Sequence, residues 1–477
     1  MSKIYPILMC GGAGTRLWPL SRKCYPKQFV SIVDDETLFQ KSANRFCSNE
    51  NLQFQNPTVI TSEAFRFVVG EQLDEIGIVP RAILIEPVIK NTAAPILGAC
   101  LHIIEEDPDG ILVVTPSDHL IPDVQAFQQA LTLGLPQLAN QEFITFGISP
   151  ATPETGYGYL KLKADRSANE DVERVTKFVE KPDIETAYEM VVSGNYLWNS
   201  GIFLFKAKDM IAAYKEHQPD IFHGVSLAFE KGKSDLNFFR YDATEWDHLE
   251  SISLDHAIME NASNIMAVKF SGYWSDLGDW NSIWKEGNQD SNNNVSFGDV
   301  AAIDTTNSLL FSEKKNSALV CMGIDNMIVV STSDAILVTD KARAQDVKLV
   351  VEHLKKTCVP QAETSNIDYR PWGWFEVLVS DNKYKVKRIH VKPGASLSLQ
   401  SHNYRAEHWI VVSGTANVVI DDDVKVVESG ESVFVPKGAV HRMENLGEIP
   451  MVLVEVQTGT YFGEDDIVRY SDIYDRQ

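Results

Sequence analysis

Cysteine is scarce in this chain: Cys10, Cys24, Cys47, Cys100, Cys321 and Cys358 are scattered over 477 residues with no Cys-x-x-Cys pair. That usage argues against a disulfide framework or a zinc knuckle and suits reduced thiols in the cytoplasm. Long apolar runs are missing too, and none approaches the length of a membrane span. The first apolar strand begins almost at once, which leaves no room for a signal peptide. Positive charge is in deficit, with 43 Lys and Arg against 66 Asp and Glu and a net charge of -23. A field of that sign repels nucleic acid and anionic membranes, so neither is expected as a partner. Finally, no Gly-Lys-Ser/Thr follows the glycines near the amino terminus, which argues against a P-loop ATPase.

What is present begins with the stretch from Met9 to Phe29. An apolar strand, Ile4 to Met9, runs into Gly11, Gly12 and Gly14, and Thr15 and Arg16 follow. Glycines let backbone N–H groups turn toward an anion and approach it closely. Arg16, Arg22, Lys23 and Lys27 crowd the same stretch, so anionic substrates are compatible with the acidic whole.

Residues 1–285 alternate strand-like and helix-like patterns, with strands expected at Thr58–Thr61, Ala82–Ile85, Ile111–Thr115, Phe143–Ile148 and Ile202–Lys206. Alternation of this kind predicts a mostly parallel, Rossmann-like sheet with ligands at the carboxyl ends of its strands. Asp118, in Pro116-Ser117-Asp118-His119, stands at one such end and suits a hard cation such as Mg²⁺. Glu86-Pro87 and Asn91-Thr92 stand at another, where Asn or Thr is also an ordinary helix cap. Gly156 and Gly158 open a loop in which a sugar ring can lie close to the backbone, and Glu180-Lys181 offers a carboxylate and an ammonium. Asn199, in Trp198-Asn199-Ser200-Gly201, presents an amide at the mouth of an apolar strand, and Ser253–Glu260 reads as a capped helix.

Residues 286–360 change character: short β-like runs (Ser308–Phe311, Ala318–Cys321, Met327–Ser331, Ala335–Thr339) predict a β-helical or stacked-strand segment, followed by a helix over Ala342–Lys356. Val359–Ser365 reads as a linker. Residues 361–477 read as strands only, a double-sheet barrel. Within them Gln400, His402 and Glu407, then His441, lie between spaced glycines, with 400 and 402 on one strand face and the other two on neighbouring strands. Nitrogen and oxygen donors in that mixture suit Zn²⁺ or another divalent transition metal.

The wording Leu17-Trp18-Pro19-Leu20-Ser21-Arg22 with Tyr25-Pro26-Lys27-Gln28-Phe29 resembles the sugar-phosphate nucleotidylyltransferases, in their mannose-1-phosphate guanylyltransferase branch. The paired spacing near the carboxyl terminus is that of the cupins, and Arg405-Ala406-Glu407-His408-Trp409 is similar to the type II phosphomannose isomerases fused behind a guanylyltransferase in bacterial bifunctional enzymes. The resemblance implies GTP and mannose 1-phosphate as substrates of the first reaction and mannose 6-phosphate of the second. It implies that Gly11, Gly12, Gly14, Thr15, Arg16 and Lys27 bind the nucleotide, with Arg16 and Lys27 catalytic. Gly156, Glu180, Lys181 and Asn199 would hold the sugar phosphate, and Asp118 and Asp276, from Asp276-Leu277-Gly278-Asp279-Trp280, would hold Mg²⁺. Gln400, His402, Glu407 and His441 would hold the cupin metal, with Arg405 stabilising an enediolate. Departures from the pattern are Lys90 for an Arg, a second acid at Asp279, Asp475 for a Gly, and Ser401-His402-Asn403-Tyr404 where the family has Met-His-His-His. The last keeps an alternative open, a non-catalytic cupin that senses sugar phosphate or mediates assembly; a homo-oligomer is neither required nor excluded.

Overall fold

A computed structural model of the chain describes residues 3–471, apart from 13, 33, 164–170, 236 and 314–316. Asp475 lies outside the described residues. The contacts divide the chain into two compact units, Met1–Glu363 and Thr364–Gln477.

The first unit is built on one large sheet around the strand Lys3–Cys10, which is buried along nearly its whole length. A strand covered on both faces reads as an unbroken apolar run, which is why Ile4 to Met9 carries no alternation. From one edge the order is Lys233–Asp235, Phe238–Arg240, Ala82–Glu86, Thr58–Ser62, Lys3–Cys10, Ile111–Pro116, Tyr196–Lys206, Phe143–Ile148, Ile265–Phe270, Val172–Glu180 and Gly158–Leu162. The expected parallel arrangement holds from Phe238–Arg240 to Ile111–Pro116. Beyond that the sheet is mixed, because Tyr196–Lys206 runs antiparallel to both Ile111–Pro116 and Phe143–Ile148, and Gly158–Leu162 and Val172–Glu180 form an antiparallel pair. Hydrophobic patterning reports burial and not direction, so the reversal left no trace in the sequence. Its consequence is functional: the amino-terminal half of Tyr196–Lys206 comes to the edge where Ile111–Pro116 ends, and Gly201 faces the Pro116 ring.

The segment after residue 294 forms two parallel stacks. Val295–Phe297, Leu309–Ser312 and Met327–Ser331 make one, closed by antiparallel Ile336–Asp340, and Val300–Ile303 with Leu319–Met322 makes the other. The helical stretch after it begins as a 3₁₀ turn, Lys341–Asp346, and continues as the α-helix Val347–Lys356. Inward side chains of this segment (Leu309, Phe311, Ile328, Val330, Leu337) share one apolar cluster with Leu17, Trp18, Leu20 and Trp280. The stretch expected as a linker is docked in the same way: Ala362 is buried and the Gln361 carbonyl accepts from Trp18 Nε1 at 2.8 Å.

The second unit is a pair of sheets. One holds Ile367–Arg370, Gly373–Ser380, Tyr384–Val391, Met451–Gly459, Arg405–Ser413 and Ser432–Val435; the other holds Asp423–Glu428, Thr415–Ile420, His441–Glu444, Leu399–His402 and Ile467–Ser471. Alternate residues of Arg405–Ser413 and Met451–Gly459 turn inward, and Trp409, Val411, Met451 and Leu453 pack there with Val391 and Met443.

Candidate active sites of the two units

In the first unit the glycine loop leaves Lys3–Cys10 with Gly12 at φ +93° and Gly14 at φ +53°, the left-handed region that an L side chain rarely adopts. Gly14 also lies against Lys27: a Cβ there would stand 3.2 Å from the Lys27 amide nitrogen. Gln28 Nε2 donates to the Gly11 carbonyl at 3.4 Å, so the second half of the opening stretch folds back over the first. Thr15 and Arg16 start the short turn Thr15–Leu17, and Arg16 is exposed.

Lys27 is the buried member. Its Nζ lies 3.0 Å from Asp118 Oδ2 and donates to the backbone carbonyl of Asp276. One ammonium thus joins the two acids expected to hold a cation, although they lie far apart in the chain. Burial pushes the Asp118 carboxyl up, but the Lys27 charge, with His119 and hydrogen bonds, outweighs it and holds the group below the usual carboxylate range. Burial pulls the His119 imidazole down, against the opposing charge of Asp118. Asp276 Oδ1 accepts from Tyr157 Oη at 2.8 Å and from the Gly278 amide at 3.1 Å. Two carboxylates, on residues joined through the Lys27 ammonium, form a donor set that fits a hard divalent cation.

Asp279, the extra acid, has a different task. It caps the helix Trp280–Glu286, accepting from the Ser282 amide at 2.9 Å and the Ser282 hydroxyl at 3.1 Å. Asp279→Ala is expected to cost about 1 kcal/mol of stability in urea unfolding, the usual cost of a lost cap.

Two of the four cations in the opening stretch point elsewhere. Arg22 is buried in a two-pronged pair with Asp334, and Lys23 points at Glu363, 3.8 Å away. Lys90 Nζ donates to the Asp247 carbonyl at 2.6 Å.

A cleft of about 470 Å³ runs along the carboxyl ends of the central strands, lined by Gly11, Gly12, Glu86, Asp118, Gly201 and Asp255 among others. Asn199 is held on three sides: its Oδ1 accepts from Thr145 Oγ1 at 2.8 Å and from the Gly201 amide at 3.3 Å, and its Nδ2 donates to Asp255 Oδ1 at 3.0 Å. Burial, with the charge of Glu180, raises Asp255 to about 6. Lys181 Nζ is 2.7 Å from Glu180 Oε1. A Cβ on Gly158 would lie 2.5 Å from Glu180 Oε2, which would have to swing aside, whereas Gly156 has open space around it; the closer approach is therefore at 158.

Asp255 is a functional-site candidate that the sequence did not single out, and Glu86, noted there only in Glu86-Pro87 at a strand end, had no role assigned. Ser253–Glu260 does not form the expected α-helix; the chain makes a π-helical turn, Asp255–Met259, and such turns frequently sit at functional sites. Glu86 ends an otherwise apolar strand and is raised to about 8 by burial, with the Lys90 amide opposing. A lone acid closing a buried apolar strand was the available signal.

In the second unit His402, Glu407 and His441 place one ligand atom each within 4.8 Å of one another, all three buried. His402 Nε2 is 3.1 Å from Glu407 Oε1, and His441 Nε2 is 3.8 Å from Glu407 Oε2. Among the described residues His441 Nε2 is buried with no hydrogen-bond partner, and His441 Nδ1 is within hydrogen-bond distance of the Ala439 carbonyl at 3.0 Å. A ring fixed through one nitrogen with the other aimed at a carboxylate fits a divalent transition metal. The strand of His441 neighbours Leu399–His402 as expected, but the strand of Glu407 belongs to the facing sheet, so the cluster spans the two sheets. Gln400 stands opposite His441 in register, with its Oε1 accepting from Ser398 Oγ at 2.9 Å. Arg405 lies on the face of Glu407, with Nε 3.2 Å from Glu407 Oε1 and Nη2 3.4 Å from His402 Nε2.

Burial pushes Glu407 up, yet the hydrogen bond and charge of His402 and the charge of His441 hold it well below the carboxylate range. Glu455 goes the other way, to about 8, through burial and the nearby charge of Glu407. Gln457 Nε2 donates to both, at 3.0 Å each. Ser401, Asn403 and Tyr404 take no part in this cluster: the Ser401 and Tyr470 hydroxyls pair at 3.1 Å, and the Asn403 and Tyr404 amides donate to Asp466.

No helix among the described residues is long and apolar enough to cross a membrane. Three family patterns match the chain: Nucleotidyl transferase over residues 5–293, MannoseP isomerase/GMP-like beta-helix domain over 298–354, and Mannose-6-phosphate isomerase C-terminal over 360–472. The chain is 42% identical over 471 residues to the alginate biosynthesis protein AlgA of Pseudomonas aeruginosa, covering 99% of this chain and 97% of that protein. It is 42% identical to the xanthan biosynthesis protein XanB of Xanthomonas campestris pv. campestris, covering all of both chains. It is 41% identical to the mannose-1-phosphate guanylyltransferase of Escherichia coli, over all of this chain and 99% of that one. Its fold matches a solved structure named mannose-1-phosphate geranyltransferase, from Thermus thermophilus, with a TM-score of 0.65 and 26% identity over 74% of this chain and 100% of that one. The chain belongs to the bacterial bifunctional mannose-1-phosphate guanylyltransferase and mannose-6-phosphate isomerase family, a nucleotidyltransferase and a cupin isomerase domain carried on one polypeptide.

Proposed function

We propose that the first unit transfers GMP from GTP to mannose 1-phosphate, and that the second interconverts mannose 6-phosphate and fructose 6-phosphate with a divalent metal. The observation that carries the first is Lys27, whose ammonium ties Asp118 to Asp276 beside the glycine loop. An oxygen of the sugar phosphate attacks the α-phosphorus; the new P–O bond forms as the α–β bond breaks and pyrophosphate leaves. Two anions must meet, so positioning and charge neutralisation supply most of the catalysis. Mg²⁺ held by Asp118 and Asp276 would screen the phosphates. Arg16 faces the departing pyrophosphate and Lys27 the reacting phosphates, while Gly11, Gly12, Gly14 and Thr15 present backbone. Glu180, Lys181 and Asn199, with Gly156 beside them, hold the sugar phosphate. Glu86 lies in the same cleft, and guanine bound there would draw it into its ionised form, in which it can accept the N1 and 2-amino hydrogens.

The second activity is carried by the His402, Glu407 and His441 cluster. With Gln400 these residues would hold Zn²⁺ or another transition metal, which supplies polarisation of the carbonyl and hydroxyl oxygens. The proton leaves C2 of mannose 6-phosphate and returns at C1 while the O2 hydroxyl proton passes to O1, and Arg405 stabilises the enediolate between. All six cysteines are free thiols, which agrees with a cytoplasmic enzyme supplying activated mannose for polysaccharide synthesis.

A panel of GTP, UTP and dTTP against mannose 1-phosphate, with pyrophosphate release as readout, tests the first reading; equal use of all three would overturn it. Isomerisation of mannose 6-phosphate by the full chain, before and after chelation, tests the second. No turnover in metal-replete protein would leave the cupin as a binding module.

A further inference from the structure

The opening stretch contains a motif that no substrate contact uses: Trp18-Pro19-Leu20-Ser21-Arg22. Trp18, Leu20 and Arg22 face the β-helical segment, whereas the Ser21 hydroxyl turns back to the glycine loop. Leu17, Trp18 and Leu20 pack with Leu309, Phe311, Ile328 and Val330. Arg22 carries the polar part of the contact. Its Nη1 donates to Asp334 Oδ2 at 2.6 Å, its Nη2 pairs with Asp334 Oδ1, and its Nε donates to the Pro19 carbonyl at 3.1 Å. Asp334 sits in the turn between Met327–Ser331 and Ile336–Asp340, where Thr332 Oγ1 donates to it at 3.3 Å. The Arg22 side chain is 4% exposed and that of Asp334 24%. A bidentate pair between a buried guanidinium and a partly buried carboxylate fixes both distance and orientation.

The next link leads into the phosphate loop. Ser21, the neighbour of Arg22, donates its hydroxyl to the Gly14 carbonyl. Gly14 is held at positive φ and packs on the Lys27 backbone and stem. Thus the β-helical turn holds Arg22, Arg22 and Pro19 set the turn that carries Ser21, and Ser21 fixes the last glycine of the loop against Lys27.

The geometry points to Asp334 as a positioning residue for guanylyl transfer: through Arg22 and Ser21 the β-helical segment holds the triphosphate loop in its binding shape. The inference rests on the reading that this loop holds the GTP phosphates. It gives the β-helical segment a part in the reaction although Asp334 touches no substrate. A loop that must be ordered on binding weakens GTP affinity by the fraction of molecules in the competent shape. The effect should therefore fall on GTP and not on the sugar phosphate, whose partners Glu180, Lys181 and Asn199 lie on or beside other strands.

The test uses the full chain with three variants: Asp334→Asn, the paired apolar replacement Arg22→Met with Asp334→Leu, and Arg16→Ala as a control. The apolar pair guards against loss of folding, because well-packed apolar residues can replace a buried ion pair without loss of stability. KM for GTP and KM for mannose 1-phosphate are measured separately by pyrophosphate release, beside thermal unfolding. The expected result is a rise of about tenfold or more in KM for GTP in both Asp334 variants, with KM for mannose 1-phosphate within about twofold and the apolar pair melting as the wild type does. Unchanged KM for GTP overturns the proposal, as does a loss that falls equally on both substrates and follows the melting temperature. If Arg16→Ala also leaves KM for GTP unchanged, the loop reading falls with it; if Arg16→Ala raises it while the Asp334 variants do not, the brace alone is refuted.

Discussion

Lys27→Met is expected to lower the rate of pyrophosphate release by about a hundredfold to a thousandfold, the scale for removing one preorganised charge from a phosphoryl-transfer site. The methionine keeps the stem that Gly14 packs on and removes only the ammonium. That ammonium has two jobs. It neutralises Asp118 at 3.0 Å, and it holds the Asp276 backbone, so its loss both loosens the two acids and removes a cation from the reacting phosphates. Lys27→Arg is not expected to rescue, because a planar fork cannot take the place of a compact point charge between two fixed oxygens. The same variant makes a pH prediction. Asp118 is held below its ordinary range in the folded protein, so its ionisation contributes stability above the unfolded pKa, and that contribution is lost as pH falls through the lower folded value. Without Lys27 the largest lowering influence is gone while burial remains. Acid unfolding of Lys27→Met should then begin at a higher pH than in the wild type. Turnover within about tenfold of the wild type, or an unchanged acid midpoint, would count against this assignment.

Local signatures carried Lys27 and Asp118 into view because each sits in a short stretch whose spacing is set by one strand and one turn. Asp255 was hidden for the opposite reason. Its stretch satisfies a helical pattern, and only the reversed direction of Tyr196–Lys206 brings Asn199 to meet it. Arg22 was counted among the cations of the opening stretch by proximity in sequence, but four cations in one stretch do not share one destination once Arg22 pairs with Asp334 in the β-helical segment. In the second unit the alternation of Met451–Gly459 holds Glu455 and Gln457 at inward positions between Leu453 and the strand end, and Lys387 is likewise inward in Tyr384–Val391. Charged residues on the buried face of an alternating strand are a legible signal. Which acid they would meet was not, since Glu407 arrives from the Arg405–Ser413 strand of the same sheet and the two histidines from the facing one.

Glu407→Gln is expected to abolish isomerisation, with a loss of about a thousandfold or more, and to strip the second unit of transition metal. The carboxylate accepts from Gln457 Nε2 at 3.0 Å, from Trp409 Nε1 at 3.0 Å and from Arg405 Nε at 3.2 Å, and it lies 3.1 Å from His402 Nε2. Every one of those neighbours suits an anion. An amide in the same place turns one oxygen into a donor facing donors, and leaves the Arg405 charge buried without its partner. Breaking a buried pair in this way costs about 3–5 kcal/mol, so the variant should also unfold at lower urea, and the metal content must be read on protein shown to be folded. Glu407→Asp supplies that control: it keeps the charge, retracts the ligand by one methylene, and should retain some metal while losing most of the turnover. Guanylyl transfer should stay within about twofold in both variants, because its site is built within Met1–Glu363 and the cluster within Thr364–Gln477. Metal-free wild-type protein that still isomerises mannose 6-phosphate, or Glu407→Gln that keeps both metal and turnover, would remove the cluster from the reaction and leave Glu455, Lys387 and Arg405 to account for it without a metal.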